Sequence, residues 1–324
     1  MSNARNDNVL LQSRIQAAYG AAEAAAEGAY RHLPFYEYGI TASEDLGKDD
    51  AIQGDHFSGD ITSGLVAVAG NLVVPTGLQS IGWHLAMLFG DPVTVDNTGT
   101  YTHTFSPAAV PTNRFLTMCK SHRDINQHFV ADSLVYTGLE ISGKKDNQRA
   151  RTTFMLTGRQ EEKAGAARDT TPVAWANDLV PVGFKGLVKI DGAPAAAITS
   201  LSGKMAMDAE ADQEEMNGLP TAAGVDRGEW QGDGSVGTRF RDSSFYDLAV
   251  DGTLVDLSLE YTLSNGWSIV YKFFKARLER SSPNISGRGI LNADFNWQIG
   301  RPAPGQVPFN VVLTNDVAAY ANPT

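Results

Sequence analysis

Leu257-Ser-Leu-Glu-Tyr-Thr-Leu-Ser-Asn-Gly-Trp-Ser-Ile-Val-Tyr-Lys-Phe273 decides the fold class. Leu257, Leu259, Tyr261 and Leu263 fall at alternate positions, Asn265-Gly266 supplies a turn, and Trp267, Ile269, Tyr271 and Phe273 resume the alternation. That period places the apolar side chains on one face of an extended chain, and Asn-Gly tolerates the left-handed backbone of a tight hairpin turn. The stretch predicts an antiparallel hairpin with one buried face. Outward from it, weaker strands are predicted at Leu134 to Ser142, Arg151 to Thr157, Phe184 to Ile190, Ala197 to Met207 and Gly289 to Ile299. The class is mostly β.

One helix interrupts the pattern. Thr76 is the expected cap, with Gln79 three residues on; Leu78, Ile81, Leu85 and Leu88 share a face, and Gly90 ends it. Ala17 to Ala29 has helical composition, but Gly20 and Gly28 interrupt it, so it reads as an arm without assigned conformation. Gln160 to Asp178 carries no period and marks the divide of the chain. The expected organisation is an N-terminal arm (1–30), a first domain (31–165), a second domain (166–301) and a C-terminal arm (302–324).

The two halves repeat one order of parts. First come a strand near Phe35 to Ile40, an acidic loop with Glu44, Asp45, Asp49, Asp50 and Asp55, a Gly-punctuated strand from Ile61 to Val74, the helix, and a hairpin around Gly143. The second set is a strand near Ile198 to Met207, an acidic loop with Asp208, Glu210, Asp212, Glu214 and Glu215, a Gly-punctuated strand from Gln231 to Phe240, a short helix from Ser243 to Val250 closed by Gly252, and the Asn265-Gly266 hairpin.

Composition narrows the function. The 324 residues, 42% hydrophobic, suffice for a large core without metal or disulfide. The single cysteine, Cys119, reads as a buried inert thiol, and no apolar run approaches the roughly 20 residues of a membrane helix. The net charge of −11 is spread evenly, with 13 basic and 18 acidic residues up to position 165 and 13 and 19 after it. No basic stripe is left to neutralise nucleic-acid phosphates.

Chemical motifs weigh against catalysis. Gly232-Asp-Gly234-Ser-Val-Gly237 follows Glu229-Trp-Gln231 rather than a buried parallel strand, so it reads as a glycine-rich strand. Gly138 to Lys145 resembles a phosphate loop, but Lys145 stands where Ser or Thr is needed, so it reads as a basic turn. His32, His56, His84, His103, His122 and His128 include no metal-binding pair, and Asp208 to Glu215 lacks the ligand order of a calcium loop. No nucleophile elbow is present. Asn284-Ile-Ser286 fits a glycosylation pattern without a secretory signal to make it matter. No cofactor and no metal are expected.

Gly70-Asn-Leu-Val-Val-Pro75, Leu85-Ala-Met-Leu-Phe-Gly90 and Tyr101-Thr-His-Thr-Phe105 resemble the tail tube proteins of long-tailed bacteriophages. Arg14-Ile-Gln-Ala-Ala-Tyr-Gly-Ala-Ala22 is similar to that family's N-terminal arm, Ser133 to Gly158 to its paired strands, and Gly183 to Gly300 to a second copy of the domain. The second half lacks a Tyr-Thr-His-Thr-Phe counterpart. The resemblance implies two tandem β-sandwich or half-barrel domains, each with a flanking α-helix, in a virion protein assembled in the host cytoplasm. It further implies homo-oligomeric rings, trimeric with pseudo-sixfold symmetry or alternatively hexameric, stacked into a tube that conducts DNA without binding it. Tail terminator, tape measure and distal tail proteins are the implied partners. The acidic loops stand where the family carries ring-stacking loops, with Lys144, Lys145, Arg149, Arg277 and Arg280 as candidate basic partners. Both terminal arms are expected to reach neighbouring subunits. Two readings compete: a distal tail or hub ring of the same fold, and a carbohydrate-binding module using Trp83, Trp175, Trp230, Trp267 or Trp297 as platforms, although Trp83 and Trp267 look buried by period.

Overall fold

A computed structural model describes residues 5–52, 57–108, 113–195, 197–283, 285, 288, 290–301 and 303–323. Asp55, His56, Asn284, Ser286 and Gly289, all named above, lie outside them, as do positions 302 and 324 of the C-terminal arm. The principal strands are β1 (Val9–Ile15), β2 (Val66–Pro75), β3 (Val93–Asp96), β4 (Tyr101–Phe105), β5 (Leu116–His122), β6 (Gln127–Lys144), β7 (Arg151–Gly158), β8 (Gln160–Ala164), β9 (Gly186–Ile190), β10 (Ile198–Asp212), β11 (Gly224–Arg239), β12 (Leu254–Thr262), β13 (Ser268–Leu278), β14 (Asn292–Ile299) and β15 (Phe309–Asn315). Helix α1 (Ser80–Phe89) follows β2, and α2 (Ser244–Asp251) follows β11. The ladders between these strands are antiparallel.

The repeated order of parts is a repeated pairing order. In the first half β1 pairs β5, β5 pairs β6, β6 pairs β7, β7 pairs β2, and β2 pairs the short strand Thr41–Glu44. In the second half β9 pairs β12, β12 pairs β13, β13 pairs β14, β14 pairs β11, and β11 pairs β10. Chain order and pairing order coincide, so β1, Thr41–Glu44, β2, β5, β6 and β7 correspond to β9, β10, β11, β12, β13 and β14. The same bulge recurs: the β5·β6 register slips between Leu116↔Leu134 and Met118↔Ala131, and the β12·β13 register between Val255↔Ala276 and Leu257↔Phe273. Each bulge carries a non-glycine residue at positive φ, Ser133 at 51° and Lys275 at 54°. Such bulges bend a strand and let it change partners.

Two ladders stitch the halves together. β6 continues past β5 and pairs β10, from Gly138↔Ala206 to Lys144↔Ser200. β15 lies between β13 and β4, with Val311 opposite both Tyr271 and Phe105. One apolar cluster spans both halves, from Leu72, Phe154 and Leu139 to Phe273, Phe295 and Trp297. The deciding hairpin is β12·β13, with Val255, Leu257, Leu259 and Tyr261 on its buried face, opposite Ile269, Tyr271 and Phe273. Alternation was legible because only one face is covered.

α1 differs from its expectation in two ways. It begins at Ser80, and the Asp178 carboxylate accepts the backbone N–H groups of Gln79 and Ser80, both at 2.9 Å. Thr76 instead shares a 2.9 Å hydroxyl contact with Thr152. The helix is also buried all round, from Ser80 to Leu88, because the C-terminal residues cover the side away from the sheet. Tyr320 is packed so closely on Gly82 that a Cβ there would stand 2.0 Å from its ring.

The segments read as arms pack on their own chain. Within the first, Val9–Ile15 is β1 and Ala17 to Ala29 forms no helix. The C-terminal segment contributes β15, and the Asn322 side chain bonds both backbone groups of Ile15, at 2.8 and 3.0 Å. Between the halves, Gln160–Ala164 is β8, paired to β6, and Val173 forms a bridge with Arg31. Among the described residues, no helix is long and apolar enough to cross a membrane.

Candidate assembly interface

Two acidic segments meet at one end of the sheet. Thr41–Glu44, read as part of a loop, is a strand on β2, and beyond it Gly47–Lys48 pairs Ile61–Thr62. Glu44, Asp45, Asp49 and Asp50 are exposed there. Asp208, Glu210 and Asp212 are likewise strand residues at the far end of β10, and only Glu214 and Glu215 lie in the turn to β11. The register explains this, since β10 stays paired to β11 as far as Asp212↔Gly224. Val66 joins the two segments: its N–H donates to Pro220 O at 2.7 Å, and its carbonyl accepts the Gln213 side chain at 3.0 Å. Tyr19 holds the β11 side by donating its hydroxyl to Ala222 O at 2.8 Å, and burial raises that phenol to about 12.

The acidic end is neither neutralised nor wholly polar. Among the described residues, none of its nine carboxylates forms an ion pair within the chain. Ile52 and Met216 are essentially fully exposed, and Leu46, Ile61 and Leu219 are more than half exposed. Large apolar side chains are thus interleaved at this end with carboxylates. Arg227, which the sequence reading passed over, sits on β11 opposite Ala209. Burial holds its guanidinium down to about 10, and its Nε and one Nη find no acceptor among the described residues.

The five candidate bases do not form one group. Lys144 ends β6 and Lys145 opens the following turn, where they line a hollow of about 390 Å³ with Ile198, Thr199, Arg239 and Arg241. Arg149 lies near Lys144 in an adjoining depression. Arg239 and Arg241 reach this cluster because Arg239 N–H bonds Ala197 O at 2.9 Å, a long-range pairing with no local signature. Arg277 and Arg280 are elsewhere, at the end of β13 beside α2. Arg280 donates to the Tyr246 hydroxyl at 2.7 and 3.1 Å with its guanidinium carbon 5.4 Å from the ring centroid.

The remaining motifs have structural explanations. Gly232, Gly234 and Gly237 lie within β11, and a Cβ on Gly234 would stand 2.1 Å from Ser202 O and 2.4 Å from the Trp297 ring. His84 lies inside α1 with Nδ1 2.8 Å from the Tyr136 hydroxyl, and His103 bridges Thr94 and Val317 O. Among the described residues no group of three potential ligands is placed to hold a metal. Trp83 and Trp297 are fully buried, Trp267 is nearly so, Trp230 stacks on Phe89 and Trp175 lies under Arg31. Cys119 is buried.

Curated protein sequences include no match to this chain. The family model described as phage tail tube protein matches residues 7–299. That match spans the repeated strands, both helices and both acidic segments, and the mostly β architecture agrees with it. The chain therefore belongs to the phage tail tube protein family, structural components of the virion tail that self-assemble into a tube.

Proposed function

We propose that three copies of this chain close into a ring of six repeats, with residues 31–165 and 166–301 as the repeating units. Rings stack head to tail into a hollow tube through which genomic DNA passes to the host. One observation carries the stacking: a single hairpin, β10·β11, is acidic at one tip and basic at the other. Its far end bears Asp208, Glu210, Asp212, Glu214 and Glu215, and its near end adjoins Lys144, Lys145, Arg239 and Arg241. From Ser200 to Asp212 the strand extends about 40 Å at the usual rise. A contact between unlike ends of identical copies does not close on itself along the axis, so it propagates. The exposed apolar side chains at the acidic end support the same reading.

Stacking also repeats the net charge of −11 along the tube. A negative lumen repels phosphates and lets a duplex slide without adhering. Tail terminator, tape measure and distal tail proteins are the partners at the ends and inside.

Charge reversal tests the proposal. Glu210, Glu214 and Glu215 changed together to Lys give single rings in negative stain, as do Lys144, Lys145, Arg239 and Arg241 changed together to Glu. Mixing the two variants restores alternating contacts. Normal tubes from either variant alone refute the stacking assignment, and the images give the ring symmetry directly. A single ring from the unaltered protein at every concentration favours a hub instead.

A further inference from the structure

The chain contains two Asn-Gly pairs, Asn217-Gly218 and Asn265-Gly266. In such a pair the glycine nitrogen can attack the asparagine side chain, because no Cβ shields it. The two pairs are closely matched. All four residues are exposed. Both glycines lie at positive φ, 75° and 86°, with open space where a Cβ would stand. Each asparagine forms an Asx turn: Leu219 N–H donates to Asn217 Oδ1 at 2.9 Å, and Trp267 N–H donates to Asn265 Oδ1 at 3.1 Å. That bond folds the carboxamide back over the next peptide and draws electron density from its carbon. The pairs part company at the glycine nitrogen. Gly266 N–H donates to Leu263 O at 3.1 Å, and Leu263 N–H donates to Trp267 O at 2.8 Å, so this turn is bonded across between β12 and β13. Trp267 beside it is buried. Gly218 N–H has no acceptor among the described residues, and its turn between β10 and β11 is closed only farther out, by Ala223 N–H on Asp212 O at 2.7 Å.

We propose that Asn217 is a site of spontaneous covalent modification, deamidation by the Gly218 nitrogen, with water as the co-reactant. Gly218 N gives up its proton and bonds to Cγ of Asn217. The Cγ–Nδ2 bond breaks, ammonia leaves with that proton, and the two residues are joined in a cyclic imide. Water then opens the ring on one side or the other. Opening at Cγ gives aspartate, and opening at the backbone carbonyl carbon gives isoaspartate, in which the main chain runs through Cβ and Cγ. Either product adds one carboxylate to a turn that already bears Glu214 and Glu215, and the second also lengthens the backbone there. Asn265 keeps its amide, because its attacking nitrogen is committed to the hairpin and the hairpin must open before the ring can close. The reaction is internal to one chain and needs no assembly, so it stands apart from the ring reading above.

Ageing the purified full-length protein tests it. Samples held for days in mildly alkaline buffer are digested, and mass spectrometry reads acid in place of amide at each Asn-Gly pair. Methyl uptake catalysed by an isoaspartyl methyltransferase reads the isoaspartate product. The same chain held in denaturant supplies the reference, since neither turn exists there. The expected result in the folded protein is conversion at Asn217 close to the denatured rate, with Asn265 slower by at least about tenfold because its hairpin must first open. Asn217→Gln removes the methyl uptake of the folded protein, and Gly218→Ala slows it. Equal rates at the two pairs in the folded protein overturn the proposal, as does an Asn217 that lags the denatured reference as far as Asn265 does. Methyl uptake that persists in folded Asn217→Gln overturns it too, by placing the reaction elsewhere.

Discussion

Ser133 and Lys275 hold one backbone conformation at one point of the two repeats, φ 51° and 54°, each in the bulge where its strand exchanges one neighbour for another. Their side chains share nothing, so it is the corner that is repeated. A left-handed conformation costs a residue with a Cβ about 1–2 kcal/mol, and glycine far less.

Lys275→Gly should therefore raise stability by about 1 kcal/mol, and Lys275→Val should lower it by about as much or more, read from urea unfolding midpoints. Ser133→Gly is expected to gain nothing, because the Ser133 hydroxyl accepts the Gly20 N–H at 2.8 Å and that bond is lost. Destabilisation by Lys275→Gly would show that the corner is not strained.

Acid should weaken the fold through His84. Burial holds this imidazole down to about 3, while an unfolded histidine takes up its proton near 6.5. Between those values only the unfolded chain binds the proton. The contribution is complete above pH 6.5, declines by roughly 1 kcal/mol per pH unit below it, and is gone once pH falls through the folded value. His84→Gln should flatten that part of the pH–stability curve. Because His32, His103 and His128 are also lowered by burial, the quantity to measure is the difference between the two proteins' urea midpoints from pH 7 to pH 4. Parallel curves would count against the assignment.

The C-terminal residues should behave as core. Tyr320 is 4% exposed, and its hydroxyl accepts the Asn315 amide at 2.7 Å. Tyr320→Ala is expected to cost about 3–5 kcal/mol, comparable to removing a buried aromatic elsewhere. Gly82→Ala should be similarly harmful, since it drives a methyl into the same ring. Calorimetric melting of both variants checks this. A freely projecting tail would leave the melting temperature of Tyr320→Ala unchanged.

Legibility in the sequence followed exposure. β12 and β13 were read correctly because one face is buried and the other wet, so the chain alternates. β5 was missed because it is buried on both faces over Leu116 to Cys119 and shows no period. β15 does alternate, with Phe309, Val311 and Leu313 inward, but it was read as part of an arm since nothing local reveals that β4 and β13 await it. The acidic residues of Thr41–Glu44 and Asp208–Asp212 were taken for loop because charged residues are poor strand formers. Backbone pairing overrode that preference. Of the candidate surfaces, the carboxylates were visible as runs, whereas the union of Lys144 with Arg239 and Arg241 depends on the β6·β10 and β10·β11 ladders. The start of α1 was misjudged for the same reason, its cap being Asp178, remote in sequence.

β15 leaves the ribosome after both of the strands it joins, and it fills the gap between β4 and β13. Until it emerges, both neighbours carry a bare flank and the two halves lack one of their seams. A nascent polypeptide thus joins its halves along this seam only once residues 309–315 have emerged, a contact distant in sequence and therefore slow to form. Until then the bare flanks of β4 and β13 are edges onto which any extended segment can add, so the interval before β15 docks is when the chain is most exposed to mispairing.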